Sequence, residues 1–328
     1  MANKLLFGIQ TNGIKHSHTD PMPDVDARFQ MVRDAGVFDY VDKTPDPDQI
    51  EDFLKAQYLY ELPVRAGGWF YQLGASEALL EHNLIIGQQM GSVVHNTQIL
   101  ASHADGHIIT DDEVLDAYLR AAELGEKYGC VPCFEVHVNM WSEDFVRVSK
   151  VGKMVELHGV EFNITLDHSH IIFKINNDEE LKIFETDKKI ASGELVLDPF
   201  KPGNVIAEWA EAGWVRHCHA RATIPNNPKN TLAHHSDGSV GRGIQYPFKK
   251  PRVGEYHANW NEDALEPWKE GIRILMRYHA KDPKSKLGQI STEFIPNTDY
   301  GEGCKYSLFE QAISCVEWMK KEWMQIQS

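Results

Sequence analysis

The stretch CFEVHVNMW, residues 133–141, reads as a short buried strand that also carries an acid and a histidine. Side chains alternate between the two faces of a strand, so Glu135 and His137 share one face and apolar side chains occupy the other. Burying an acid and an imidazole without partners costs several kcal/mol. The stretch therefore predicts that the folded protein supplies a partner for these two side chains.

Short apolar runs alternate with amphipathic segments along almost the whole chain. The candidate strands are LLFGIQ (5–10), FDYV (38–41), PVRA (63–66), VVHNTQIL (93–100), CFEVHV (133–138), FNITLD (162–167), VRHCHA (215–220) and QISTEF (289–294). The helical patterns between them cover residues 24–35, 48–60, 75–90, 111–128, 144–158, 203–212, 263–279 and a last segment from about 306. Eight strand and helix pairs predict the α/β class and one closed (β/α)8 TIM barrel over residues 1–328. The G-x-G-x-x-G fingerprint of nucleotide-binding open sheets is absent after the first strand.

Two connections are too long for ordinary links between a strand and a helix. They cover about residues 168–201 after the sixth strand and about residues 221–262 after the seventh. Long loops at the carboxyl ends of barrel strands often form substrate-binding surfaces and lids. The second loop mixes Pro, Gly, Asn, His and basic residues, so we expect an ordered lid there.

Composition narrows the class of partner. The formal net charge of −15 disfavours nucleic acid, because proteins that bind phosphate backbones usually gather Lys and Arg into a basic surface. No apolar run approaches the roughly 20 residues that span a bilayer. Five cysteines without a regular framework fit a reducing compartment. We therefore expect a cytoplasmic protein that binds a small molecule and neither nucleic acid nor membrane.

Polar side chains recur toward the ends of the last four predicted strands. They are Glu135, His137, Asp167, His168, His170, His217, His219, Arg221 and Glu293. The carboxyl ends of barrel strands meet around one point, so these side chains can converge there. Two Glu, one Asp and one or two His suit a divalent ion such as Mn2+, Mg2+, Co2+ or Zn2+. His217 and His219 share a strand face and either could be the ligand; we take His219.

The motifs E-x-H at 135–137, D-x-x-H at 167–170 and H-x-H at 217–219, with Glu293, resemble those of the xylose-isomerase-like TIM-barrel superfamily. This superfamily of sugar isomerases and epimerases includes the ketose 3-epimerases, and the resemblance spans nearly the full chain. It implies one divalent ion, with Mn2+ as our first choice. The implied ligands are Glu135, Asp167, His219 and Glu293, and His170 would hydrogen-bond the substrate. The later arginine of the epimerases has no counterpart, because position 225 is Pro; Arg221 or Arg242 would have to replace it.

A metal-dependent sugar isomerase or epimerase is the first functional hypothesis. An ion bound to a sugar carbonyl and a neighbouring hydroxyl would acidify the adjacent C–H. Glu135 and Glu293 would then act as base and acid on a cis-enediolate. The alternative is a metal-dependent lyase that cleaves oxidised (3-oxo) sugar glycosides, such as the catalytic subunit of a C-glycoside deglycosidase. In that enzyme His137 would be the catalytic base and Glu135 only a ligand.

Further residues are candidates for contact with the sugar. Trp69 and Trp141 follow predicted strands and could stack on a sugar ring. His103, beyond the fourth strand, could bind hydroxyl groups, and His217 and Arg221 could contact substrate beside the ion. The resemblance also suggests a homo-oligomer, and the lyase alternative a small second subunit.

Overall fold

A closed barrel of parallel strands forms the centre of the protein in the computed structural model, which describes residues 3–328. Its strands are β1 (Leu6–Gln10), β2 (Tyr40–Asp42), β3 (Val64–Tyr71), β4 (Val94–Ile99), β5 (Val131–Val136), β6 (Ile164–Asp167), β7 (Val215–Ala220) and β10 (Gln289–Thr292). Two further strands, β8 (Asn230–His234) and β9 (Val240–Gly241), pair antiparallel in the long connection after β7. Each barrel strand pairs with the one before it in the chain, and β10 closes the ring on β1. The predicted (β/α)8 TIM barrel is confirmed.

Helices follow the barrel strands in the predicted order. The longer ones are α1 (Val25–Ala35), α2 (Ile50–Tyr60), α3 (Glu77–Met90), α4 (Asp111–Tyr128), α5 (Phe145–Leu157), α8 (Val205–Glu211), α9 (Glu266–Lys281) and α10 (Leu308–Gln327). The short helices α6 (Ser169–Ile172) and α7 (Thr186–Ala191) lie in the connection after β6. Local signals set the bounds: Thr110 and Glu113 cap α4 reciprocally, and Gly129 ends it in the left-handed conformation. Between residues 3 and 328, no helix is long and apolar enough to cross a bilayer.

The inside of the barrel is apolar toward one end and polar toward the other. Tyr40 of β2 reaches across the inner face of β1 to β10, the strand on the other side of β1. Its hydroxyl lies 2.8 Å from Ser291 Oγ of β10. Gly8 makes this possible, because a Cβ atom there would collide with the Tyr40 ring. Two residues further along three strands the inward side chain becomes polar: Tyr40, Val94 and Cys133 are followed by Asp42, Asn96 and Glu135. This change places polar groups at the carboxyl end of the barrel.

The predicted lid, residues 221–262, is ordered and packs on the loop that follows β10. Asn230 Nδ2 donates to the carbonyl oxygens of Thr298 and Glu302 at 2.9 and 3.0 Å. Gln245 contacts the same loop, accepting a hydrogen bond from the Ile295 N–H at 2.8 Å. The lid therefore buttresses the loop after β10.

A buried ion-pair network ties the lid to two other connections. We call Glu143, Lys174, Glu180 and Arg242 the lid network. Lys174 Nζ lies 2.9 Å from Glu143 Oε1 and 3.2 Å from Glu180 Oε2. Arg242, directly after β9, donates to Glu143 Oε1 at 2.7 Å and to Glu180 Oε1 at 2.9 Å. Two cations and two carboxylates thus neutralise one another between the segment before α5, the connection after β6 and the lid.

The lid network makes stability depend on pH. Burial alone would raise the pKa of Glu143, but the charges of Lys174 and Arg242 outweigh burial and lower the pKa from 4.5 to about 2. A carboxyl group whose pKa is lower in the folded state stabilises the fold above the unfolded pKa, and this contribution is lost as the pH falls toward the folded value. The shift corresponds to roughly 3 kcal/mol. We therefore expect the difference in free energy of unfolding between wild type and Glu143→Gln to shrink from about pH 6 to pH 3 in urea titrations. A difference that stays constant over this range would contradict the assignment.

Candidate active site

Three of the predicted metal ligands meet at the carboxyl end of the barrel. Glu135 lies in β5, His219 in β7, and Glu293 directly follows β10. His219 Nδ1 lies 3.0 Å from Glu135 Oε1 and 3.0 Å from Glu293 Oε2. All three side chains are buried, and their potential ligand atoms lie within 4.8 Å of one another. One ion could therefore contact all three donors.

The other ring nitrogen of His219 faces an acid that the sequence analysis missed. His219 Nε2 lies 3.2 Å from Asp42 Oδ2, and the same oxygen lies 3.1 Å from His217 Nε2. These three residues form a second buried group close enough to share an ion. Asp42 is the last residue of β2, one position beyond the predicted strand FDYV. An acid directly after an apolar run was the signal that could have revealed it.

Asp167 lies in neither group. Its Oδ2 accepts a hydrogen bond from Arg221 Nε at 3.1 Å, and its Oδ1 accepts from the Ser169 N–H and hydroxyl at 3.0 and 2.6 Å. Arg221 Nη2 also donates to Glu293 Oε2 at 2.6 Å. Of the four predicted ligands, Glu135, His219 and Glu293 converge. The fourth, Asp167, is instead paired with the guanidinium group of Arg221. Arg221 occupies this place because two buried carboxylates need a counter-charge.

Three side chains contact the carboxylate group of Glu135. Its Oε2 accepts from Asn96 Nδ2 at 2.6 Å and from Gln98 Nε2 at 2.5 Å, both on β4, while Oε1 faces His219. Burial would raise the pKa of Glu135, but the charge and hydrogen bond of His219 outweigh it and lower the pKa to about 2. The amides stand at alternate positions of the predicted strand VVHNTQIL, the same pattern that identified Glu135. The partner that the burial of Glu135 requires therefore includes two amides and an imidazole.

The buried charges at this end of the barrel do not cancel. Burial alone would lower the pKa of His219, but the charges of Glu293 and Glu135 outweigh it and hold the pKa well above its usual value. Four carboxylates are buried here, those of Asp42, Glu135, Asp167 and Glu293. Arg221 pairs with Asp167 and Glu293, and His219 lies between Asp42, Glu135 and Glu293, so carboxylates outnumber the cationic groups that contact them. A divalent cation bound by the carboxylates and a neutral His219 would supply positive charge in place of the histidine proton.

A cavity of about 350 Å³ opens beside these groups. Its lining includes Asp42, Lys43, Trp69, Phe70, His137, His219, Arg221, Glu293, Asn297 and Tyr300. This volume is at the lower end of the range for small-ligand sites, so the cavity suits a molecule of monosaccharide size. A larger groove of about 710 Å³ lies between α4 and the segment 158–163 that follows α5, at the amino end of the barrel, where barrel enzymes do not place their chemistry.

His137 reaches the cavity from just beyond β5, which ends at Val136. Its Nδ1 lies 2.6 Å from the Val138 carbonyl oxygen, so this nitrogen carries the proton. The other ring nitrogen, Nε2, lies 3.1 Å from the Tyr300 hydroxyl. In the neutral ring with its proton on Nδ1, Nε2 is the hydrogen-bond acceptor, on a side chain that lines the cavity.

Two of the predicted substrate contacts line the cavity, and four do not. Trp69 and Arg221 line it. His170 is buried behind His137, with ring centroids 4.1 Å apart, and His217 is buried beside Asp42. Both histidines are enclosed by protein and make no part of the cavity wall.

Trp141 and His103 also lie away from the cavity. Trp141 is buried in the apolar core against Phe134, because the chain turns back after β5 toward the helices. His103 lies in the loop after β4, where its Nδ1 is 3.1 Å from Asp105 Oδ1. Apart from Arg221 at its first position, the lid contributes no lining residue; Ile295, Asn297 and Tyr300 of the loop after β10, which the lid supports, line the cavity instead. These substrate contacts were inferred from position along the chain, which does not show the direction of a side chain beyond a strand end.

The structure has the fold of the xylose-isomerase-like TIM barrels. D-psicose 3-epimerase from Clostridium cellulolyticum H10, solved with D-tagatose, aligns with a TM-score of 0.56 and 11% identity over 97% of this chain and 99% of that one. The IolI protein with a bound zinc atom aligns with a TM-score of 0.54 and 10% identity over 98% of each chain. The 3-keto-D-glucoside 4-epimerase YcjR from E. coli aligns with a TM-score of 0.50 and 12% identity over 97% of this chain and 100% of that one. No family model and no curated protein sequence matches the chain.

Proposed function

We propose that this protein is a divalent-metal-dependent sugar isomerase or epimerase that moves a proton next to a carbonyl group through a cis-enediolate. The convergence of Glu135, His219 and Glu293 beside a cavity of about 350 Å³ carries the proposal. The sugar epimerases and the zinc-binding protein that share the fold support it.

Glu135, His219 and Glu293 would hold the ion, with Asp42 on the other side of His219. Two carboxylates and one imidazole, without sulfur, form a donor set that suits Mn2+, our first choice, as well as Mg2+, Co2+ or Zn2+. The bound ion would polarise a sugar carbonyl and make the adjacent C–H more acidic.

Glu293 is the residue best placed to move the substrate proton. It lines the cavity, and Arg221 holds its Oε2, whereas no hydrogen bond from residues 3–328 engages its Oε1. Glu135 has both oxygens engaged and does not line the cavity, so it positions the ion. His137 offers Nε2 from a different strand and could complete an epimerisation as the second acid–base group.

The lyase alternative rests on His137. With Nδ1 donating to Val138, Nε2 of the neutral ring is the acceptor, and the Tyr300 hydroxyl is 3.1 Å from Nε2. Such a pair could remove a proton from an oxidised sugar and return one to a leaving group. A 3-keto-D-glucoside is the substrate of one protein with this fold.

Metal analysis followed by incubation in D2O tests both functions. We expect a divalent ion to copurify with the protein, and deuterium to enter the position next to a sugar carbonyl. Inversion at that carbon would indicate an epimerase, interconversion of aldose and ketose an isomerase, and release of an aglycone from 3-oxo-glycosides the lyase. Protein stripped with a chelator is the control. If the metal-loaded protein catalyses none of these reactions, the proposal is wrong.

A further inference from the structure

Two cationic side chains line the cavity, but only one of them is neutralised by the protein. Arg221 is held by Asp167 and Glu293 at 3.1 and 2.6 Å. Within residues 3–328, Lys43 Nζ forms no hydrogen bond and no ion pair, and it lies 5.7 Å from the centre of the Trp69 ring. Lys43 therefore presents to the cavity an ammonium group that has no direct hydrogen-bond or ion-pair partner in the described chain.

The position of Lys43 is defined by the barrel. It directly follows β2, and its backbone N–H donates to the Ala66 carbonyl oxygen of β3 at 2.9 Å. Asp42, the preceding residue, turns inward to His217 and His219. Only the long lysine side chain remains adjustable, so it can reach a ligand without movement of the backbone.

Two amide side chains line the same arc of the rim. Asn12 follows β1, which neighbours β2, and Asn297 lies in the loop after β10, which neighbours β1 on the other side. Neither amide side chain forms a hydrogen bond with any residue of the described chain from 3 to 328. An ammonium and two amide N–H donors are the groups that bind the oxygens of a carboxylate or a phosphate.

We propose that the substrate is an anionic sugar, and that Lys43, with Asn12 and Asn297, binds its carboxylate or phosphate group. Lys43 is then a specificity-determining residue, while Glu293 and its neighbours act on the carbonyl. This inference rests on the proposed function because both place a sugar in the same cavity. A volume of about 350 Å³ accommodates a monosaccharide with one such group.

Direct binding measurements keep this inference separate from turnover. Isothermal titration of metal-loaded protein should compare D-fructose with two anionic relatives, D-fructose 6-phosphate and D-fructuronate. We expect wild type to bind at least one anionic sugar about tenfold more tightly than D-fructose, and high salt to reduce this preference. The two anions distinguish phosphate from carboxylate recognition. Equal affinity for neutral and anionic sugars, or no binding of any, would overturn the proposal.

Variants at position 43 test the residue itself. Lys43→Met should abolish the preference and leave the affinity for D-fructose unchanged, whereas Lys43→Arg should retain most of it. Lys55→Met, an exposed lysine on α2, is the matched control. Among substrates that turn over, Lys43→Met should raise KM and change kcat little. If Lys43→Met still prefers anionic over neutral sugars, this inference is wrong whatever the reaction. If the preference depends on Lys43 but no deuterium exchange occurs, only the proposed function is wrong.

Discussion

Glu293→Gln should lower kcat for proton exchange by about 10²–10⁴-fold while the protein stays folded. Glutamine keeps the shape of the side chain but removes the group that would accept the proton. It also removes the negative charge that faces His219 Nδ1 at 3.0 Å and Arg221 Nη2 at 2.6 Å. The rate of deuterium incorporation and the metal content per chain should be measured together.

The two measurements separate the roles of Glu293. Loss of both metal and rate would identify it as a ligand, whereas loss of rate with full metal content would identify it as the acid–base group. Glu194→Gln, at an exposed glutamate without an ion pair in the described chain, is the matched control and should behave as wild type. An unchanged kcat in Glu293→Gln would exclude the proposed chemistry.

Lys174→Met should lower the free energy of unfolding by roughly 3–5 kcal/mol, the cost of leaving buried charge without its partner. Lys174 is fully buried and lies between Glu143 and Glu180. Methionine fills much of the same volume but carries no charge, so Arg242 alone must neutralise both carboxylates. Urea unfolding near pH 7 measures the change.

A second substitution shows whether charge is the cause. Removing one carboxylate in Lys174→Met/Glu143→Gln should recover part of the lost stability, because fewer negative charges then remain unpaired. Lys182→Met replaces an exposed lysine in the same connection and should change stability little. If Lys174→Met and Lys182→Met destabilise the protein equally, the lid network does not hold these connections together.

Much of the candidate site could be predicted because strand ends in a barrel are constrained. Glu135, His219 and Glu293 come from three strands distant in sequence, yet parallel strands that close into a barrel bring their carboxyl ends together. Any acid or histidine on an inward face near those ends must then approach the others. The same reasoning placed Asp167 near the site. In the structure, the Arg221 guanidinium lies between Asp167 and Glu293 and pairs with both.

The sequence analysis missed several residues of the site for two reasons: a strand end was predicted one residue too early, and the search was limited to acids and histidines. Asp42 lies one residue beyond the predicted end of its strand. Asn96 and Gln98, which bind Glu135, carry neutral amide groups and were therefore not considered. Tyr300 belongs to the loop after β10, which carried no periodic signal. Its position depends on the lid, whose contacts with that loop are long-range.

The sequence by itself determined the order of the strands and helices and their closure into a barrel. It also determined that acids and histidines gather at the carboxyl end of that barrel. These features follow from apolar periodicity, capping residues and chain connectivity, which act over short distances along the chain. Only the tertiary structure decided which charges are paired: Asp42 with His219, Asp167 with Arg221, and Lys43 with no group of the described chain. Ion pairs depend on the direction and reach of side chains from separate strands, and these become defined only when the barrel has closed.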